Sequence, residues 1–91
     1  MSHWVYILTN QRNTTLTIGI TNNPYRRLEE HKLGAESSFS RKYNLDKLIY
    51  LEEAGDPMSA IDREKQLKKL SRLKKEVLIN RQNPDWEEIL L

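Results

Sequence analysis

The sequence predicts an α/β domain of the α+β kind: a small, mainly antiparallel three-stranded sheet flanked by helices. The expected order is ββαβαα, with a short C-terminal helix around Trp86 to Leu90. Three observations predict this fold class. Two runs rich in β-branched and aromatic residues, Trp4 to Leu8 and Leu16 to Thr21, are joined by the polar stretch Thr9 to Thr15, which reads as a hairpin. A third such run spans Lys47 to Glu53. Two pairs, Asn23-Pro24 and Asp56-Pro57, each place an N-capping residue before a proline at the first helical position. With 91 residues the chain suffices for a single domain, 1–91, with one modest core.

Within the hairpin, strand alternation sorts the side chains. Val5, Ile7, Leu16, Ile18 and Ile20 face a core, while Tyr6, Thr17, Gly19 and Thr21 share the other face. That second face is either the floor of a site or the wet side of a sheet. The first helix starts at Asn23-Pro24, runs to about Lys32 and stops at Gly34, anchored by Tyr25, Leu28 and Leu33. Residues 34–46 read as a loop carrying Arg41, Lys42, Phe39 and Tyr43, which suits either a connector or a nucleic-acid contact. Gly55 ends the third strand, and a helix over about 57–70 follows. Ser71 caps a last helix of about 72–82, which Asn83-Pro84 terminates. Trp86, Ile89 and Leu90 are expected to fold back onto the body. The expected core comprises Val5, Ile7, Ile18, Ile20, Leu28, Leu48, Tyr50, Ile61, Leu67 and Val77.

Composition narrows the function classes. Without cysteine there is no disulfide framework and no thiolate metal site. No apolar run resembles a signal peptide or reaches membrane-spanning length, so the expectation is a soluble, cytoplasmic protein with no membrane partner, monomeric by preference. The net charge of +2 hides an uneven distribution. Residues 61–82 carry eight basic against three acidic side chains, whereas residues 83–91 carry three acidic and none basic. A local basic block suits a phosphate-backbone partner, and equally a solvated helical face.

Glu64 is the clearest chemical signal in the residues themselves. At 100° per residue it falls within the apolar face formed by Met58, Ala60, Ile61, Leu67 and Leu70, roughly 35° from its centre. A carboxylate there must be paired, hydrogen-bonded or metal-bound. Arg63, Lys65 and Lys68 lie around its edge, so a structural salt bridge is the competing reading. Arg27 and His31, four apart, share one flank of the first helix, while Arg26 points elsewhere. No Gly-rich phosphate loop or two-histidine metal spacing is present.

Taken together, these residues resemble the GIY-YIG nuclease superfamily, in particular its small stand-alone bacterial members. Val5-Tyr6-Ile7 stands where the G-I-Y motif belongs, and Thr17-Ile18-Gly19 where Y-I-G belongs. Arg26-Arg27-Leu28-Glu29-Glu30-His31 matches the family helix, and Arg63-Glu64-Lys65-Gln66-Leu67 the later one. Tyr43, the segment 47–53 and Asn83-Pro84-Asp85-Trp86 also fit, so the resemblance covers nearly the whole chain. Three departures stand out: Thr17 replaces the second-motif tyrosine, the first-motif glycine is absent, and Ile20 stands where some members place a lysine after the second-motif glycine.

The resemblance implies hydrolysis of DNA phosphodiester bonds with one divalent ion, Mg²⁺ or Mn²⁺, held by Glu64. It implies Arg27 as the catalytic arginine, Tyr6 as base or proton relay, His31 as orienter or alternative base, and Gly19 as a structural site glycine. Thr17 would stand in for the missing phenol, with a shorter and far less acidic hydroxyl. Lys65, Lys68, Lys69, Arg72, Lys74 and Lys75 would contact DNA backbone phosphates. The alternative is a catalytically weak or inactive nucleic-acid-binding module of the same fold, and a third reading is a protein-interaction domain with a basic face.

Overall fold

The computed structural model describes residues 2–32 and 43–91. Its strands are β1 (Trp4–Thr9), β2 (Leu16–Thr21) and β3 (Lys47–Glu53), and its described helices are α1 (Pro24–Lys32), α2 (Pro57–Lys68) and α3 (Arg72–Gln82). The order ββαβαα is the expected one. All pairing is antiparallel, with the sheet ordered β2-β1-β3, so β1 is central and β2 and β3 are edges.

Capping places each helix where its sequence calls for one. The Asn23 side-chain oxygen accepts from the Arg26 N–H at 3.1 Å. Asp56 accepts from the Ser59 N–H at 2.9 Å, and Ser71 from the Lys74 N–H at 3.2 Å. Each cap satisfies a backbone donor that the first turn leaves without a helical partner. The carboxyl of Asp56 is held below the usual carboxylate range, chiefly by the Ser59 N–H and then by its hydroxyl.

The sheet is covered on both faces, which strand alternation alone does not reveal. On one face Val5, Ile7, Ile18, Ile49 and Tyr50 pack with Ala60 and Leu67 of α2 and Ile79 of α3. On the other, Tyr6, Leu8 and Leu48 pack with Leu28 of α1 and Leu45. A β-bulge makes this possible. The β1–β3 register slips between Ile7 and Leu8, so that Ile49 and Tyr50 both serve the α2 side while Leu48 and Leu51 flank Tyr6 and Leu8.

Several expected core positions are corrected. Val77 is 48% exposed, and the fully buried α3 residue is Ile79. Met58 (65%) and Tyr25 (60%) are also exposed, because each lies at the first turn of its helix, beyond the sheet that the next turn covers. Ile20 and Ile61 are half-buried. Leu33 and Gly34 lie outside the described residues, as does most of the 34–46 loop.

The short terminal helix does not form. Asn83 caps α3 with its backbone N–H on the Ile79 carbonyl at 2.7 Å, its side chain donates to the Ile49 and Glu87 carbonyls, and Trp86 sits at φ +54°. That left-handed position interrupts any helical run. The tail still docks: Trp86 and Ile89 are half-buried and the Ile89 N–H donates to Leu48 at 2.8 Å, while Leu90 remains 84% exposed.

Edge strand β3 is blunted by the same segment. Gln82 accepts from the Leu51 N–H at 3.0 Å and donates to the Leu51 carbonyl at 2.9 Å. With Asn83 and Ile89 on the Ile49 and Leu48 carbonyls, the outer rim of β3 cannot recruit another strand. None of the described helices is long and apolar enough to cross a membrane.

Candidate active site

The antiparallel register sets Tyr6 of β1 directly opposite Gly19 of β2. The Tyr6 ring lies flat across the glycine. A β-carbon built on Gly19 would fall 2.5 Å from Tyr6 Cζ, well inside any carbon–carbon contact, so only glycine leaves the phenol this position. His31 of α1 closes over the ring from its edge, with centroids 6.1 Å apart and planes at 72°. This is a favourable edge-to-face geometry that fixes both rings. Tyr6 is 7% exposed.

Arg27 lies one turn before His31 on the same flank of α1 and is half-buried. Arg26 turns away, pairing with Glu30 at 3.4 Å. Thr17 stands two residues from Gly19, opposite Leu8 and hence on the Tyr6 face. One side of the hairpin therefore gathers Tyr6, Gly19, His31 and Thr17, with Arg27 above them.

Glu64 reaches the sheet from elsewhere. It lies between Ala60 and Leu67, which face the sheet from the side opposite Tyr6, and α2 packs chiefly along β2. Its side chain is 20% exposed and its carboxylate pairs with Lys68 at 3.5 Å, so it is paired, as its place in an apolar helix face requires. α1 therefore covers one face of the sheet, over β1 and β3, and α2 the opposite face, chiefly along β2.

Sequence reasoning missed what holds α2 in rotation. Arg63, next to Glu64, donates from Nε to Glu52 at 2.9 Å and from Nη1 to Gln66 at 3.1 Å. The Tyr50 hydroxyl donates to the same Glu52 carboxylate at 2.5 Å. Burial, reinforced by that carboxylate, pushes the Tyr50 phenol up to about 12. The hydrogen bond to Glu52 raises the Arg63 guanidinium further still. The signal was available: Tyr50 and Glu52, two apart on a strand, must share a face.

A divalent ion fits this donor set in one form. Among the described residues no group of three His, Cys, Asp or Glu side chains assembles. A partly exposed single carboxylate, Glu64, suits a hydrated hard cation that completes its shell with water and substrate phosphate.

The lysines of the basic block separate in space. Lys65 and Lys69 are exposed on α2 near the Glu64–Lys68 pair. Lys74 lines a groove between α2 and α3, with Val77, Leu78 and Arg81. Lys75 is half-buried. Arg72 is engaged within the chain, donating to Glu76, to the Thr14 carbonyl at 3.2 Å and to the Asn13 carbonyl at 2.8 Å.

A tyrosine laid over a glycine, an arginine and histidine on the next helix, and a glutamate on a later one make up the candidate site. Residues 2–77 match the model of the GIY-YIG catalytic domain, and the chain belongs to that family. Its relatives narrow the position. It is 41% identical over 86 residues to a UPF0213 protein of Syntrophus aciditrophicus, covering 91% of this chain and 94% of that one. It is 36% identical over 77 residues to a UPF0213 protein of Natronomonas pharaonis, covering 85% and 89%. The solution NMR structure of a UPF0213 protein from Bacillus halodurans superposes with a TM-score of 0.61 at 29% identity, covering 96% of this chain and 92% of that one.

Proposed function

We propose that the protein is a metal-dependent endonuclease that hydrolyses DNA phosphodiester bonds. The observation that carries this reading is the Tyr6 phenol, seated on Gly19 and braced by the His31 ring. A phenol held this closely is pre-positioned, as a proton-handling group must be.

In this reading the scissile phosphate lies along the outer edge of β2, reached by Arg27 from one face and Glu64 from the other. Tyr6 Oη, as the phenolate, orients the attacking water and takes its proton as the new P–O bond forms in line with the P–O bond that breaks, and the departing sugar oxygen takes a proton from solvent water. A free phenol titrates near pH ~10, so Arg27 beside it in the complex favours proton transfer at neutral pH. The planar Arg27 fork also neutralises charge building on the equatorial phosphate oxygens. His31 keeps the phenol oriented. A Mg²⁺ or Mn²⁺ ion at Glu64 would supply Lewis-acid stabilisation of the phosphate and leaving oxygen. Lys68 then releases Glu64 and joins Lys65 and Lys69 against flanking phosphates, with Lys74 and Lys75 extending the cationic track. Arg72 supports that track by holding α3 to the hairpin connector.

Two observations favour a second reading, a nucleic-acid-binding module with little or no catalysis. Thr17 offers no phenol where the second motif has one, and Glu64 already has a cationic partner in Lys68. Ion binding separates the two. Mn²⁺ titration followed by water-proton relaxation should show one site that Glu64→Ala removes and Lys68→Ala strengthens. A Mn²⁺ response identical in wild type and Glu64→Ala would leave the binding module as the better account.

A further inference from the structure

The connector between β1 and β2 is held more firmly than a hairpin requires. Asn10 folds it from within, its Oδ1 accepting from the Thr14 N–H at 2.8 Å and the Thr15 N–H at 3.3 Å while its Nδ2 donates to Thr14 Oγ1 at 2.7 Å. The Thr9 hydroxyl donates to the Thr15 carbonyl at 2.7 Å, and Asn13 closes a turn to the Asn10 carbonyl with φ +58°. Two other elements then brace it. Lys47 of β3 donates to Asn13 Oδ1 at 3.1 Å, and Arg72 of α3 donates to both the Asn13 and Thr14 carbonyls. Trp86 lies under that guanidinium at 5.7 Å.

The residues so presented are Gln11 and Arg12, both exposed at the tip, with the Gln11 amide donating to Asp46 Oδ1 at a long 3.5 Å, a contact that a base must displace. They form one wall of a concavity of about 340 Å³ completed by Asn10, Tyr43, Asn44 and Asp46. Leu45, between Asn44 and Asp46, anchors their wall in the same core cluster as Tyr6 and Leu8. A guanidinium and a primary amide match the acceptor and donor edges of guanine and adenine, and an aromatic ring offers a stacking face. Asp46 argues against a pocket built for phosphate alone, since a carboxylate repels phosphate and accepts from a base amino group.

We propose that this braced tip reads DNA bases, with Gln11 and Arg12 entering a duplex groove beside the cut site. The inference rests on the nuclease reading for the position of the substrate. Gln11 lies just beyond the end of β1, the strand that carries Tyr6. Phosphate-contacting lysines bind any sequence, so a domain of this size gains selectivity only from an element of this kind.

The test is selection from a randomised duplex library, by binding and by cleavage, with wild type, Gln11→Ala, Arg12→Ala and Lys69→Ala. Wild type should enrich defined bases, and Arg12→Ala should lose discrimination at one position by roughly 5- to 100-fold. Lys69→Ala should weaken all sequences alike and reduce the salt slope by about 1. Both tip residues are exposed, so these variants keep the fold. Absence of enrichment, or enrichment unchanged in Gln11→Ala and Arg12→Ala, overturns the inference even if DNA is cut. Enrichment that depends on Arg12 without any cleavage upholds it and removes the nuclease reading alone.

Discussion

Replacing Gly19 by alanine probes the pairing on which the site is built. The new methyl carbon would sit 2.5 Å from Tyr6 Cζ, whereas ordinary contact begins near 3.4 Å, so the two must separate by about 1 Å. A tyrosine tip can usually swing aside, but this ring is 7% exposed and braced by His31 at 6.1 Å. The remaining route is outward displacement of edge strand β2. Overpacking of this kind costs about 1–3 kcal/mol. Each kcal/mol lowers Tm by roughly 4–8 °C in a domain of this size. A catalytic group misplaced by about 1 Å loses ~100-fold in rate, so activity should fall well beyond the stability loss. The assay pairs thermal unfolding with DNA cleavage for Gly19→Ala, Tyr6→Val and the double variant. Tyr6→Val removes the ring, so the double variant should be as stable as Tyr6→Val alone, a coupling that only direct contact produces. Wild-type Tm and wild-type cleavage in Gly19→Ala would refute the reasoning.

Further outcomes follow from the same geometry. Thr17→Tyr places a second phenol on the Tyr6 face and should raise cleavage up to ~100-fold, the lower end of a general-base contribution; an unchanged rate would show that Thr17 is not at the reacting centre. The Tyr50 phenol is raised to about 12 in the fold against 10.0 in a free side chain. Its protonated form is therefore favoured by folding, so its contribution is complete below pH ~10 and lost as pH rises toward ~12. Alkaline unfolding should show that decline in wild type and a shallower one in Tyr50→Phe. Gln82→Ala opens the Leu51 N–H and carbonyl to solvent on an edge strand; it should cost about 0.5–1.5 kcal/mol by denaturant unfolding and increase aggregation by light scattering.

Much of the fold was legible because local signals agreed. Asn23-Pro24, Asp56-Pro57 and Ser71 each cap the helix they announce, and the alternation of β1 and β2 assigned every face correctly. What escaped was long-range. Nothing in the run Leu48-Ile49-Tyr50-Leu51 marks the bulge that turns Ile49 and Tyr50 to one side. On α3 the sequence reading chose Val77 for the core, and the crossing of α3 over β3 buries Ile79 instead. Trp86 and Ile89 docked as their apolar area required, but through Asn83 and β3 backbone bonds rather than through a helix.

The candidate site divides in the same way. The Tyr6–Gly19 pairing follows from hairpin register, and Arg27 and His31 from helical spacing. Glu64 was rightly singled out as a carboxylate in an apolar face, yet its neighbour Arg63 proved to be tied to Glu52 and its own partner is Lys68. Those choices depend on which strand lies under α2. The bracing of the hairpin connector by Arg72, 58 residues from Thr14 in sequence, carries no local signal at all.

The central claim is hydrolysis at the β2 edge, and the most direct measurement is cleavage of duplex, nicked, flap and single-stranded DNA with Mg²⁺ or Mn²⁺. Wild type, Arg27→Ala and Glu64→Ala are compared on the same panel. The account predicts strand scission by wild type that chelation stops and that both variants lose. Binding of the panel with steep salt dependence and no scission under any ion would contradict it.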